Sequence, residues 1–385
     1  MNAKTTPIAR PLALLMVGRL VVNAAHRFVY PFLPAIARGL GVSLESAGTL
    51  VSARWLGAMA TPAVVHAVDR GRRPRRLILM GMALFALGAA LTAAAGVFWG
   101  ALVGFAAMGL AKSMYDVSGQ AYLADKVPYA RRARVMGTFE LTWAGGFLLG
   151  APAAGWLIDR YGWEAPFWAT AGLAGLTVIL LGVVLEPVDH TAGATGLGLD
   201  RSALALLAVM GLVSGASEIV FVSLGAWLED AFGLSLLVIG GVATILGLAE
   251  ITGEGATVAV TDRLGKRRAV ALGVMATALA YGFMPLAEGA IVPGITLLAV
   301  ALAAFEFTIV SSIPLASEVV PGARARYLSL TVLAMGIGRG AGAFFGPRLF
   351  VAAGLAGPTL AAAATNVAAA LVLVWLVREH AVHAA

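Results

Sequence analysis

Apolar residues along this chain come in long runs, each closed by a short polar or basic loop. The runs lie at about 11–37, 46–68, 77–97, 99–124, 134–158, 164–186, 203–229, 235–260, 269–287, 291–316, 327–352 and 356–377. Each is long enough to cross a hydrocarbon layer of about 30 Å as a helix. Twelve membrane spans are therefore expected. The first run is not uniformly apolar: on a helix of about 100° per residue, Arg19, Asn23, His26, Arg27 and Tyr30 fall in one sector, with leucines and valines on the rest. A charge at the bilayer centre costs about 2.5 to 3.5 kcal/mol even on insertion scales, so this stripe is expected to face a cavity or other helices.

The pattern repeats. Shifted by 192 positions, Leu12–Gly48 lies on Leu204–Gly240 without a gap, matching LALL with LALL and GVSLESAG with GLSLLVIG, and His26 lands on Glu218. A shift of 193 sets Asp125, Val127, Pro128 and Arg131 on Glu318, Val320, Pro321 and Arg324. The one stretch with linker composition, 187–201, separates residues 1–186 from 202–385, with six spans in each. Two six-helix repeats in one orientation predict a pseudo-two-fold axis along the membrane normal and a site between the halves.

Composition sharpens this picture. The 385 residues are 60% hydrophobic and 12% charged, with a mean hydropathy of +0.90, so an all-α integral membrane protein is expected. The 47 glycines lie inside the apolar runs, where small residues let helices approach closely. The net charge of +7 is a topology signal. With the amino terminus inside, nineteen basic residues fall on the cytoplasmic side and three on the other. Both termini are thus expected in the cytoplasm of a multi-pass inner-membrane protein, with the first apolar run retained as a span. Basic residues spread between spans do not suit nucleic acid. With no cysteine, disulfides and thiolate chemistry are excluded. No nucleotide loop, nucleophile constellation or metal-ligand spacing stands out, so no cofactor and no enzymatic chemistry is expected.

Several motifs carry a resemblance. After the second span of each half come Asp69-Arg70-Gly-Arg-Arg73 and Asp262-Arg263-Leu-Gly265-Lys-Arg267; the fifth span holds Gly137, Gly146, Gly150, Pro152 and Gly155; the eleventh holds Gly342, Gly346 and Pro347. Along its whole length the chain resembles the major facilitator superfamily, and its motifs are closest to the twelve-helix drug:proton antiporter group. Two departures stand out. Ala151 is an extra residue between Gly150 and Pro152 of the antiporter signature. Phe105 stands four residues before Gly109, where drug exporters of the family carry an arginine, which leaves Arg54 or Lys112 to supply a positive charge. The resemblance implies a fold of two pseudo-symmetric six-helix bundles, and assigns Asp69, Arg70, Arg73, Asp262, Arg263 and Gly265 to a cytoplasmic gate.

Eleven charges lie inside the spans: Arg19, Arg27, Arg54, Lys112 and Arg339 against Asp116, Glu140, Glu218, Glu250, Glu254 and Glu306. Four of the five bases are in the first half and four of the six acids in the second, giving a basic and an acidic wall suited to a zwitterion or a charged amphiphile. Lys112 and Asp116 are spaced as an i,i+4 pair, which either neutralises the span or belongs to the site. Glu250 and Glu254, a turn apart, cannot both ionise cheaply; with Asp116 they are the expected proton-coupling groups. The expected cavity is lined by Arg19, Asn23, His26, Arg27, Tyr30, Arg54, Lys112, Tyr115, Glu140, Trp143, Glu218, Glu306 and Arg339, with Phe307 as a further aromatic wall. Glu218 and Glu306 are expected to pair with Arg27 or Arg54 across the halves, and Arg339 to serve a cytoplasmic lock.

These features predict a monomeric secondary transporter in a lipid bilayer, exporting a small organic molecule by alternating access in exchange for protons. An uptake symporter or facilitator for a charged metabolite is the alternative. A non-transporting receptor or scaffold would not need eleven buried charges.

Overall fold

The computed structural model describes residues 9–69, 74–187, 199–320 and 324–377; within these ranges the side chains of residues 58, 69, 129, 130, 132–134, 258, 262, 324 and 325 are left out. Twelve helical rods follow in order: α1 (Ala9–Leu40), α2 (Leu44–Leu56, a 3-10 turn Gly57–Ala60, then Thr61–Asp69), α3 (Pro74–Ala94) and α4 (Phe98–Lys126). Next come α5 (Tyr129–Glu140, Thr142–Gly145, a π turn Gly146–Gly150, then Ala151–Tyr161), α6 (Ala165–Val184), α7 (Arg201–Phe221, then Leu224–Phe232) and α8 (Leu236–Leu264). The last four are α9 (Lys266–Phe283 with the turn Met284–Ala287), α10 (Ile291–Val319), α11 (Arg324–Ala353) and α12 (Ala356–Leu376). Ten of the rods are long and apolar enough to cross a membrane alone; α2, broken at Gly57, and α4, which carries Lys112 and Asp116, fall short of that measure.

Polarity is distributed for a bilayer. Leu87, Val103, Ile179, Val183 and Leu286 are exposed, whereas Arg19, Arg27, Arg54, Glu218, Glu250 and Glu306 are buried. Apolar side chains face outward because lipid accepts them, and the charged ones are drawn to the centre, where partners and cavities exist.

The repeat seen in sequence is a repeat of backbone events. Gly41 and Gly233, 192 positions apart, both end a helix in the left-handed region, at φ 65° and 60°, and Ser43 and Ser235 then stand in extended backbone just before the next helix, the Ser43 hydroxyl accepting from the Ser46 N–H. The first rod of each half is interrupted at matching places. α1 loses helical geometry at Phe32, between Pro31 and Pro34, and α7 breaks after Phe221 and resumes at Leu224. Proline lacks an N–H and its ring crowds the preceding turn, which accounts for the break in α1.

The fifth rod absorbs its extra residue. The Ala151 N–H bonds to the Gly146 carbonyl, five residues back; such a turn holds one residue more than an α turn, and Pro152 next to it cannot donate the regular bond. Ala151, the insertion noted in the glycine signature, is thus taken up as a π turn without shifting the glycines outside it.

Glycines set the contacts between halves. A Cβ on Gly48 of α2 would lie 2.7 Å from the Ala343 carbonyl of α11, and one on Gly240 of α8 would lie 3.2 Å from the Ala151 carbonyl of α5. These positions are 192 apart on both sides of each contact, so the second helix of each half packs on the fifth helix of the other. On the same face, a Cβ on Gly225 of α7 would lie 2.2 Å from the Pro31 carbonyl, and Arg38 of α1 pairs with Glu229 of α7 at 2.7 Å. The halves therefore meet near this face, opposite the one on which α1 begins, beneath an outward depression of about 800 Å³ lined by Pro34, Arg38, Trp227 and Glu288. The linker expected at 187–201 falls mostly outside the described residues.

Candidate functional site

Two polar assemblies occupy the centre of the bundle. The first belongs to α1, α4 and α5. Arg19 donates from Nε to Asp116 at 3.1 Å, from one Nη to Glu140 at 2.8 Å and from the other to the Phe139 carbonyl at 2.6 Å. Lys112 donates to the second oxygen of Asp116 at 2.7 Å and to Asn23 at 2.8 Å, and Asn23 passes a bond on to Thr142 at 3.2 Å. One carboxylate thus serves two cations, and every oxygen of Asp116 is used. The i,i+4 pair is formed, and Arg19 ties it to the first helix.

The second assembly spans both halves. Arg27 of α1 pairs with Glu250 of α8, its guanidinium lying 3.6 Å from the centre of the Phe147 ring and 4.4 Å from that of Trp143. The π turn in α5 carries Phe147 to that position. Glu218 of α7 accepts from Trp55 Nε1 at 2.8 Å, from the Tyr30 hydroxyl at 3.2 Å and from Arg339 of α11 at 3.3 Å. Trp55 and Tyr30 come from the first half, so Glu218 is a second bridge between bundles. Around these groups the space has shrunk to about 10 Å³, lined by Glu306 together with Arg27, Glu218, Glu250 and Arg339. Burial this deep is tolerated because each cation meets a carboxylate or an aromatic face.

Beside this closed centre lies an open cavity of about 270 Å³ bounded by α1, α2, α4, α5 and α11, with Arg19, His26, Arg54, Lys112, Asp116 and Glu140 on its wall. It shares Thr61, Val117, Gln120 and Val332 with a groove of about 480 Å³ that continues along Val65, Val68, Ala124, Met136 and Leu328. Those residues lie toward the ends of α2 and α4 and the starts of α5 and α11. The polar cavity therefore communicates with the face on which α1 begins, while the glycine crossings separate it from the depression on the other face.

Several expectations need correction. Tyr115 is not on the cavity wall: one residue, or about 100°, from Asp116 on α4, it is fully buried and donates to the Leu15 carbonyl at 2.8 Å, holding α4 to α1. Neither Glu218 nor Glu306 pairs with Arg27 or Arg54. Arg27 takes Glu250, Glu218 takes Arg339, and Arg54 donates to the His26 carbonyl at 2.7 Å instead. Arg339 sits in the central assembly, above Trp55 and Phe305, rather than in a cytoplasmic lock. Phe307 points toward Gly273 of α9, and Phe305, two residues earlier, takes the place expected for it. Glu254 is half-buried, one turn from Glu250, and makes no ion pair among the described residues. In the expected gate, Arg70, Arg73 and the side chains of Asp69 and Asp262 lie outside the described residues; Arg263 is exposed, and Gly265 joins α8 to α9 at φ 84°.

Sequence reasoning passed over Trp55, Phe139, Thr142 and Phe147. Trp55 had a signal, since it adjoins Arg54 on one span and carries a donor that needs a partner when buried. Phe139 acts through its carbonyl and its ring, which lies 4.3 Å below Arg19, and a backbone acceptor leaves no mark in residue type.

The sequence profile of the Major Facilitator Superfamily matches residues 15–209 and again 205–385. The chain is 30% identical over 171 residues to the inner membrane transport protein YdhP of Escherichia coli, a match spanning 44% of either protein. It is 31% identical to a chloramphenicol resistance protein of Streptomyces lividans over 72% of each chain, and 28% identical to the class C tetracycline resistance protein of Escherichia coli over 70% of this chain and 72% of that one. In fold it is similar to the inward-open xylose transporter XylE from E. coli, with a TM-score of 0.79 at 16% identity over 98% of both chains. A bacterial homolog of the human lysosomal transporter Spinster, inward-facing and occupied, gives 0.74 at 16% identity over 95% and 94%.

Proposed function

The chain belongs to the Major Facilitator Superfamily, and on that footing we propose that it is a secondary transporter exporting a small organic molecule across the cytoplasmic membrane in exchange for protons. The charge pattern supports orientation. The loops on the side where α1 begins carry nineteen basic residues against three opposite, so that side is read as cytoplasmic and the cavity opens inward. Export begins from such a state, because the compound must enter from the cytoplasm.

One observation carries the coupling: Arg27 and Glu250 join the two halves at a buried point, with Glu306 against Glu250 in the same enclosed space. Protonating Glu250 removes the charge that holds Arg27. Loss of the ion pair would let the halves rock about the central cavity. Asp116 is a weaker coupling group in this reading, since Arg19 and Lys112 already occupy both of its oxygens, and Glu254 lies on the route between Glu250 and the cytoplasm. The relatives named for chloramphenicol and tetracycline resistance make these two compounds the first to test.

The full chain reconstituted in liposomes, with an imposed pH gradient, should accumulate a transported compound uphill, and a protonophore should collapse the accumulation. Glu250→Gln should abolish uphill movement while sparing counterflow exchange. Uphill transport that survives in Glu250→Gln would overturn the coupling assignment, and absence of gradient-dependent flux across a broad panel of compounds would overturn export.

A further inference from the structure

Of the five bases inside the spans, Arg54 alone among the described residues has no carboxylate in ion-pair contact; Glu218 acts on it only from beyond that distance, and the Tyr30 ring lies 5.2 Å from its guanidinium. Arg54 is 1% exposed. One Nη donates to the His26 carbonyl, while Nε and the other Nη have no partner. An arginine stays charged in any protein environment, so it cannot shed the cost of burial by losing its proton. His26, 2% exposed, stands beside it with both ring nitrogens unpartnered and its ring edge-on to Trp55 at 5.1 Å. Both residues line the open cavity of about 270 Å³.

The other charged groups on that wall are committed. Asp116 is held by Arg19 and Lys112, and Glu140 by Arg19 and Gln120. Three formal positive charges, Arg19, Arg54 and Lys112, face two negative ones. What the wall lacks is acceptors: Arg54 Nε and one Nη and both ring nitrogens of His26 are unpartnered, and among the described residues each carboxylate on the wall is taken by another cation.

We infer that this cavity binds the carboxylate of a small aromatic acid, with Arg54 as the anion anchor, His26 as an auxiliary donor and Trp55 as the aromatic wall. The guanidinium offers the planar fork that matches a carboxylate, and the volume lies near the lower end of ligand pockets, enough for one or two fused rings. The site is reached from the groove that opens on the face where α1 begins, so an acid entering there meets Arg54 before it reaches the inter-half pairs. This deepens the exporter reading, on which it rests, by naming the substrate class as organic anions.

The test uses 2-naphthoate and its neutral isostere 2-naphthamide, with binding to the purified full chain in phosphatidylcholine nanodiscs measured by equilibrium dialysis. The expected result is at least about tenfold tighter binding of the acid than of the amide, a preference lost in Arg54→Gln and partly kept in Arg54→Lys. Equal binding of acid and amide by the unmodified protein would overturn the proposal, even if Arg54→Gln does not fold. So would an undiminished preference in a folded Arg54→Gln protein. Loss of naphthoate binding in phosphatidylglycerol-rich nanodiscs would reassign the anchor to a lipid headgroup and overturn it as well. Dialysis needs no gradient, which keeps this test apart from the exporter reading: acid preference without proton-driven flux would sink export and leave the site, and proton-driven flux of neutral compounds without acid preference would do the reverse.

Discussion

Arg27 and Glu250 give the sharpest stability experiment, because their side chains are 4% and 0% exposed and the weak energetics of surface pairs do not apply to them. Replacing Glu250 with glutamine leaves a buried guanidinium without its paired carboxylate, between the faces of Phe147 and Trp143 and with Glu306 in the same enclosed space. Replacing Arg27 with glutamine leaves the buried Glu250 carboxylate without its cation and with Glu306 beside it. Breaking a buried pair from one side costs about 3–5 kcal/mol in soluble proteins; helices unfolded within lipid find other polar partners, which lowers the expectation to about 2–4 kcal/mol for each single change. The double variant, with two neutral amides of similar shape, removes the stranded charge and should lose less than either single loss added to the other, giving a coupling energy of about 2 kcal/mol. Unfolding of the purified protein in mixed micelles under rising denaturing detergent measures all four proteins. If the double variant loses the sum of the two single losses, the pair does not act as a unit and the inter-half bridge described here is wrong.

Other expectations follow from single contacts. A Cβ on Gly109 would sit 1.8 Å from the Arg54 carbonyl, so Gly109→Leu should prevent a monodisperse fold by size-exclusion chromatography. Arg38→Ala should change stability by less than about 1 kcal/mol, because Arg38 is 63% exposed, yet it should raise the labelling rate of a cysteine placed at Ala226; the chain has no native cysteine to interfere. Deleting Ala151 should convert the π turn to α geometry and rotate Phe147 off Arg27, leaving a folded protein whose proton-driven flux is lost in the liposome assay.

The architecture was legible because membrane burial writes itself in residue type. Twelve apolar runs became twelve rods, and the repeat at 192 reappeared as paired helix ends at Gly41 and Gly233 and paired crossings at Gly48 and Gly240. The stripe Arg19, Asn23, His26, Arg27 on α1 also faces inward as its spacing required. Partnership was not legible. Which acid meets Arg27 depends on the rotation of α8 against α1, and a helix of 29 residues offers acids at Glu250 and Glu254 with nearly equal claim. Tyr115 shows the same limit, since one residue of rotation separates the cavity wall from the α1–α4 interface. The inserted Ala151 was visible as a departure from a spacing, but only the backbone shows that it is absorbed locally as a π turn.

Charge asymmetry between the halves acquires a physical meaning from these pairings. If all the bases of the first half were matched by acids of the second, the centre would be an electrostatic clasp with no room for cargo. Instead Arg19 and Lys112 are satisfied within their own half by Asp116 and Glu140, and Arg339 meets Glu218 within the other. Only Arg27–Glu250 is an ion pair between charged side chains of opposite halves at the centre, among the described residues. That economy matters for a rocking motion, since every inter-half ion pair must be broken in each cycle, at several kcal/mol apiece when buried. A single titratable clasp can be released by one proton, whereas Arg54, left over on the open side, supplies a charge for the cargo to meet.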